Sequence, residues 1–215
     1  MRKYKIAIVI PCYNEDKTIL RTCNLLYQYG DIVVVNDNST DNSKNLLKDN
    51  FEHINNKKNL GYELSVLKGI TFFLNKNYDY LITIDADLQH SHLDIPRFIS
   101  YAEKNYSDIV VGNRNNFNRF SEYILDYFFN KKFNIKDPIC GYKIYKCSIL
   151  RKIIKNNNSS LLLVDLLIKA KKIGLKVHNI NIFTKKRNDQ PRVGNFLKLN
   201  FKIMLISIYI FFYIK

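Results

Sequence analysis

The sequence predicts an α/β fold, a doubly wound and mainly parallel sheet flanked by helices, with an apolar helix at the C-terminal end. Three observations predict it. Short apolar, β-branched runs alternate with helical stretches from residue 6 to about residue 111. Each run stops at a polar cluster, as strands do when the carboxyl edge of a parallel sheet carries function. Apolar residues make up 47% of the 215, enough for one buried core.

The elements follow in order. Residues 6–10 are an unbroken apolar strand stopped by Pro11. Asp16 is placed to cap a helix over about 17–29, whose apolar stripe is Ile19, Leu20, Cys23, Leu26 and Tyr27. Gly30 ends it. Residues 31–35 form a second strand, then Asn36, Asp37, Asn38, Ser39, Thr40 and Asp41 supply turn chemistry, with Thr40 or Asp41 capping a short helix to about residue 49. A weaker strand is expected near 51–54 and a helix from Tyr62 to Leu74. Residues 79–84 are the central strand, 93–104 a helix and 108–111 another strand. Beyond Arg114 the rhythm breaks. An aromatic helix over 115–130 is read as core, a turn follows at 137–142, and 143–145 read as an edge strand. Helix 161–173, strand 177–183 and helix 196–214 complete the chain, with a solvent loop at 156–160.

The net charge of +15 points to an anionic partner. No nucleic-acid-binding motif accompanies it, so no nucleic-acid role is expected. The glycine-rich dinucleotide fingerprint is missing after the first strand, which argues against an NAD-type site. Cys12, Cys23, Cys140 and Cys147 lack metal-like or disulfide-frame spacing and read as reduced thiols in a cytoplasmic setting. The run 6–10 is too short for a signal segment.

The chemistry concentrates at residues 81–90. A buried strand ends in Asp85 and Asp87, one residue apart, followed by Gln89. Carboxylates and an amide are hard oxygen donors that suit Mg2+ or Mn2+. Two like charges so close repel, and a cation removes that cost. The expectation is a metal at the strand tip that in turn holds a diphosphate. A solvated turn is the plain alternative.

Five segments then fall in one order: 10–15 (Ile-Pro-Cys-Tyr-Asn-Glu), 35–41 (Val-Asn-Asp-Asn-Ser-Thr-Asp), 85–90 (Asp-Ala-Asp-Leu-Gln-His), 112–114 (Gly-Asn-Arg), and Asp137-Pro138 with Gly141-Tyr142-Lys143. Together they resemble the inverting family-two glycosyltransferases of GT-A fold, nearest to the dolichol- or polyprenyl-phosphate mannose and glucose synthases. The resemblance covers about residues 4–194 and implies a metal-dependent transfer of sugar from a GDP- or UDP-sugar to a lipid phosphate. It assigns Pro11, Tyr13, Glu15, Asp37, Asp85, Ala86 and Asp87 to the nucleotide-sugar, and Asp85, Asp87 and Gln89 to the metal. Asp87, Arg114, Arg187 and Arg192 are the expected catalytic residues, the arginines meeting donor and acceptor phosphates, with Arg119 a weaker match. The sequence departs from the family pattern at Asn36, where a first acid is usual, and at Pro191. A hydroxyl acceptor on a glycan would instead need a base, for which Asp137 and Asp165 are the candidates. A non-catalytic nucleotide-sugar-binding module is the alternative from another class.

Residues 203–214 carry no charge, but as a helix they span roughly 18 Å against about 30 Å of hydrocarbon. With Lys198 and Lys202 four apart, the tail is expected to lie in a membrane interface, peripheral on the inner face. A helix packed on the sheet or a homodimer contact is the alternative. The expected organisation is thus a transferase domain over 1–194 and an interfacial helix over 195–215.

Overall fold

The structure is a computed structural model and describes residues 3–117, 119–154, 162–185 and 196–213. Arg187 and Arg192, most of the basic loop, and the expected solvent loop at 156–160 lie outside the described residues.

A seven-stranded sheet forms the centre. It comprises β1 (Ile6–Cys12), β2 (Asp31–Asn36), β3 (His53–Asn55), β4 (Tyr80–Thr83), β5 (Ile109–Arg114), β6 (Lys143–Lys146) and β7 (Val177–Ile182), in the order β3-β2-β1-β4-β6-β5-β7. β1 pairs in parallel with β2 and β4, so the carboxyl ends of these strands share one edge. β3 extends this parallel half. β6 is antiparallel to both β4 and β5, and β7 is parallel to β5. The doubly wound, mainly parallel sheet expected from the sequence is present.

Around it lie α1 (Ile19–Leu26), α2 (Ser43–Lys48), α3 (Tyr62–Leu74), α4 (Ile95–Lys104), α5 (Phe120–Phe133), α6 (Cys147–Ile153), α7 (Leu162–Lys172) and α8 (Phe196–Tyr213). α3 packs on β1 at Gly69, where an added Cβ would stand 2.3 Å from Val9 Cγ1. The mid-helix glycine, a cost of roughly 0.5–1 kcal/mol, is what permits that closeness. Ile8, Ile10, Val33 and Val34 are wholly buried, which explains why these strands read as continuous apolar runs.

The structure differs from the sequence reading in several places. Asp16 does not cap α1. The carbonyl of Glu15 accepts from Thr18 N and Ile19 N, and Asp16 N donates to Asp41. α2 starts after Asn42, with Asp41 Oδ1 accepting from Ser43 N. A single 3-10 turn at His92–Asp94 precedes α4. α6 was not anticipated. β5 runs three residues further than expected because Gly112, Asn113 and Arg114 all pair with β7. β6 is not an edge strand but an inner one. The aromatic helix is only partly core: Leu125 and Phe129 are buried, whereas Phe120, Tyr123 and Tyr127 are exposed. Among the described residues no helix is long and apolar enough to cross a membrane.

All four cysteines are free and buried. Burial pushes the thiols of Cys12, Cys23 and Cys140 up to about 12 and that of Cys147 to about 11. The folded state therefore keeps protons that an unfolded thiol loses near pH 8.5. Stability from these groups is complete below that pH and is lost as pH rises toward 12. Native protein at pH 8 should be silent to a thiol-specific chromogenic reagent and titrate four thiols in guanidinium. Native reactivity of Cys140 would contradict its burial.

Candidate active site

The loops after β1 and β2 are zipped together. Asp37 N donates to Cys12 O at 2.8 Å, Asn14 N to Ser39 Oγ at 2.9 Å, and Glu15 N to Ser43 Oγ at 2.8 Å. Asn14 Oδ1 accepts from Thr40 N at 2.8 Å. Asn14 and Asn38 hold left-handed backbones, which asparagine tolerates better than most residues. Pro11 does not stop β1 as expected but pairs with Val35 inside it, and the strand runs on to Cys12. Tyr13 is half-buried on the loop that follows, and Glu15 is buried with its carboxylate accepting from Thr18 Oγ1 at 2.9 Å.

Asn36 and Asp37 end β2 and are both buried. Asn36 Nδ2 donates to Asn55 Oδ1 at 2.8 Å, tying β2 to β3 with neutral partners. Asp37 Oδ1 accepts from Asn56 Nδ2 and Leu60 N, and its Oδ2 from Gly61 N, all at 2.8 Å. Its carboxylate therefore fixes the turn that opens α3. That turn delivers Tyr62, whose hydroxyl donates to Asp85 Oδ1 at 2.7 Å. Two consecutive residues, Gly61 and Tyr62, thus link Asp37 to Asp85 on one edge of the sheet.

Asp85 lies just past β4. His90 Nε2 stands 3.2 Å from its Oδ2. Burial alone would push the Asp85 carboxyl up. Hydrogen bonds from His90 and Tyr62 and the charge of Arg114 outweigh it, so Asp85 sits below the ordinary carboxylate range and is ionised at neutral pH. Asp87 Oδ1 accepts from Gln89 N at 3.1 Å across a left-handed Leu88, an Asx turn that presents the second carboxylate. Ala86 is buried, its carbonyl accepting from Thr22 Oγ1 of α1 at 2.8 Å. Gln89 Nε2 donates to Lys185 O at 3.0 Å, which leaves Oε1 as the oxygen its amide can offer a cation. A cavity of about 390 Å³ opens here between α1 and residues 84–93, lined by Glu15, Arg21, Asp85, Asp87, His90 and Lys185.

These residues fit a divalent cation. The oxygens are hard donors and one carboxylate is held ionised. The buried Nδ1 of His90 lacks a hydrogen-bond partner, the kind of orphan atom a bound ligand satisfies. No cluster of three or more His, Cys, Asp or Glu able to hold a metal occurs among the described residues. Two carboxylates completed by phosphate oxygens are the usual arrangement for Mg2+.

Gly141, just before β6, makes the cradle close. A Cβ there would lie 2.4 Å from both Asp85 Oδ1 and Tyr62 Oη. Gly141→Ala must displace that pair. Transfer activity is expected to fall at least about tenfold with little change in thermal midpoint, and normal activity in this variant would show that the Asp85 position is not critical.

Arg114 ends β5. Its Nε reaches Asp137 Oδ2 at 2.7 Å and its Nη2 reaches Asp137 Oδ1 at 2.8 Å, a bidentate fork, with Glu122 Oε2 a further 3.2 Å contact. Arg119 Nη1 meets Glu122 Oε1 at 2.7 Å. Asp137 has no exposed surface. It is committed to Arg114 and does not stand free as a base, and Asp165 sits half-buried in the first turn of α7. Sequence reasoning missed Tyr62, Gly141 and Glu122 as parts of the site. Only Gly141 stood in a segment that the resemblance had marked.

The parallel sheet with an antiparallel insert, and acids at the tip of its central strand, is the GT-A arrangement expected from the sequence. Residues 7–154 match the model of the family described as Glycosyl transferase family 2, and the chain belongs to that family. An uncharacterised protein of Methanocaldococcus jannaschii is 32% identical over 165 residues, 66% of this chain and 72% of that one. Undecaprenyl-phosphate 4-deoxy-4-formamido-L-arabinose transferase of Proteus mirabilis is 32% identical over 124 residues, 51% of this chain. The match spans about a third of that relative's length (36%). Glucosyl-3-phosphoglycerate synthase of Mycobacterium tuberculosis, solved with Mn2+, UDP-glucose and phosphoglyceric acid, superposes with a TM-score of 0.74 at 16% identity, over 95% of this chain and 80% of that one.

Proposed function

We propose that this glycosyltransferase moves a sugar, with inversion, from a GDP- or UDP-sugar to a polyprenyl phosphate at the inner face of the cytoplasmic membrane. The observation that carries the reading is the Asp85–Asp87 pair. It is anchored through Tyr62 to the loop clamped by Asp37, and it opens on a cavity. In the transfer, the bond from the anomeric carbon to the diphosphate oxygen breaks and a bond from that carbon to an acceptor phosphate oxygen forms. Asp85, Asp87 and Gln89 would hold Mg2+ or Mn2+, which when bound would neutralise charge on the departing nucleoside diphosphate. Pro11, Tyr13, Glu15, Asp37 and Ala86 shape the donor side. A phosphate acceptor needs no base, because its second pKa of about 6 leaves it mostly ionised. The commitment of Asp137 to Arg114 favours such an acceptor over a hydroxyl. Arg114 is then a positioning residue that holds the acceptor-side segment, while Arg187 and Arg192 are assigned to the phosphates on the resemblance alone.

Support also comes from the relatives. The Proteus enzyme is named for an undecaprenyl-phosphate acceptor, and the mycobacterial structure holds Mn2+ and UDP-glucose. In this reading residues 1–194 are the transferase domain and 195–215 rest on the membrane surface. The test is transfer of labelled sugar from a panel of nucleotide-sugars into membrane lipid extract, with and without Mn2+. Label in an organic-soluble, acid-labile product is expected. Label only in water-soluble glycan would overturn the lipid-phosphate acceptor.

A further inference from the structure

α5 and α8 lie side by side and parallel. Ser121 Oγ donates to Asn200 Oδ1 at 2.6 Å near their first turns, and Lys132 Nζ to Ile210 O at 2.9 Å near the far end. Leu125 and Phe129 of α5 and Ile203, Ile206 and Ile210 of α8 are buried. The opposite side of the pair is apolar too. On α5, Phe120, Tyr123 and Tyr127 form a stripe exposed by 79%, 48% and 61%. On α8, Phe201, Leu205 and Tyr209 recur every four residues with exposures of 59%, 51% and 57%. Among the described residues, eight of the thirteen large exposed apolar side chains fall on these two helices, which is a patch and not scatter.

The charges on this surface are sorted. α5 contains two acids, and both face the protein: Glu122 is held by Arg114 and Arg119, and Asp126 Oδ1 accepts from Asp137 N. α8 contains no acid. Lys131 and Lys132 at the end of α5, and Lys136 after it, are exposed. An outer face of aromatic rings, aliphatic side chains and lysines, with no outward carboxylate, is the composition of a helix that lies in a bilayer surface. A second copy of the chain fits less well, since the patch offers those lysines no acid to pair with.

We propose that α5 and α8 together form one docking platform for an anionic lipid surface, with α5, a helix of the transferase domain itself, supplying as much of the contact as the C-terminal helix. This rests on the membrane reading above and extends it. The catalytic domain lies directly on the bilayer, so the tail does not act as a lone tether.

The chain has no tryptophan, so Tyr127→Trp and Tyr209→Trp each give a single fluorescent reporter. With vesicles of phosphatidylcholine and phosphatidylglycerol, both reporters should shift to the blue and be quenched by brominated lipid. The combined change Phe120→Ser, Tyr123→Ser, Tyr127→Ser should lower partitioning at least about tenfold. Lys131→Glu, away from the packed side, should weaken binding to these vesicles and leave binding to pure phosphatidylcholine unchanged. Quenching at 209 without quenching at 127 would overturn the proposal. So would a dimer in sedimentation that the triple change dissociates while vesicle binding persists. No acceptor is present in these assays. Vesicle binding as expected without transfer to lipid phosphate would sink only the acceptor reading, and transfer with an α5 face blind to lipid would sink only this one.

Discussion

Asp87→Asn is expected to lower kcat/KM for sugar transfer at least about a thousand-fold, a loss of ~4 kcal/mol of transition-state stabilisation, with the thermal midpoint unchanged. On the proposed reading Asp87 has two duties that this change separates. Its Oδ1 accepts from Gln89 N and shapes the turn, which an asparagine oxygen can still do. Its negative charge is what a cation requires, and asparagine lacks it. Asp87→Ala removes both and should be no more active. The same loss should follow chelation of divalent metal from the unaltered protein, and Mn2+ should restore it. Transfer by Asp87→Asn at the normal rate in the presence of chelator would defeat the metal-site assignment. A merely structural Asp87 would show its loss in unfolding and not in rate.

The second large effect is on stability. Asp137→Ala should cost about 3–5 kcal/mol, because it takes the fork from a largely buried Arg114 guanidinium and leaves it only the 3.2 Å contact with Glu122. The Arg114 fork and backbone amide both depend on Asp137, which has no exposed surface. Hydrogen bonding to Asp137 and its charge raise the Arg114 pKa despite burial, and even without them a guanidinium keeps its proton, so proton loss offers no escape. Asp137 also holds a positive φ of 47°, an unusual backbone for a residue with a side chain. The paired change Arg114→Met with Asp137→Leu should recover a substantial part of the loss, since apolar groups of similar size need no partner. Urea unfolding of the three variants measures this. A cost under about 1 kcal/mol for Asp137→Ala would mean that the pair is solvated, as surface pairs are.

The parallel half of the fold was legible because its strands are buried on both faces and stop at hydrogen-bonding residues. The ends of β2 and β4 announced themselves through Asn36-Asp37 and Asp85-Asp87, whereas β1 runs past Pro11 to Cys12. β6 was misread for a physical reason. The run 143–145 is short and opens on a lysine, the composition of a sheet's guarded rim. Yet Lys143 is fully buried, its amine donating to the Cys140 carbonyl, with burial pulling its pKa down. Long-range pairing with β4 and β5 overrides local composition. The inner acids of α5 were hidden in the same way, because Glu122 reads as a surface residue until Arg114 and Arg119 are brought to it. Tyr62 and Asp85 are joined only by the crossing of α3, and no spacing rule connects them.

The antiparallel course of β6 has a consequence for how such enzymes diversify. A strand entering the sheet from the catalytic rim must be preceded by chain that has already returned to that rim. The chain between β5 and β6 makes that return, bringing Glu122 of α5 and Asp137 to Arg114 and Gly141 against Asp85. On the proposed reading the donor-facing loops come from β1, β2 and β4, and this excursion builds the acceptor side, held to the sheet through Asp137 and Gly141. Its length and chemistry can drift with the molecule being glycosylated while the nucleotide end stays fixed. Grafting its exposed part between relatives, with Asp137 and Gly141 kept, should exchange what receives the sugar and leave untouched what gives it.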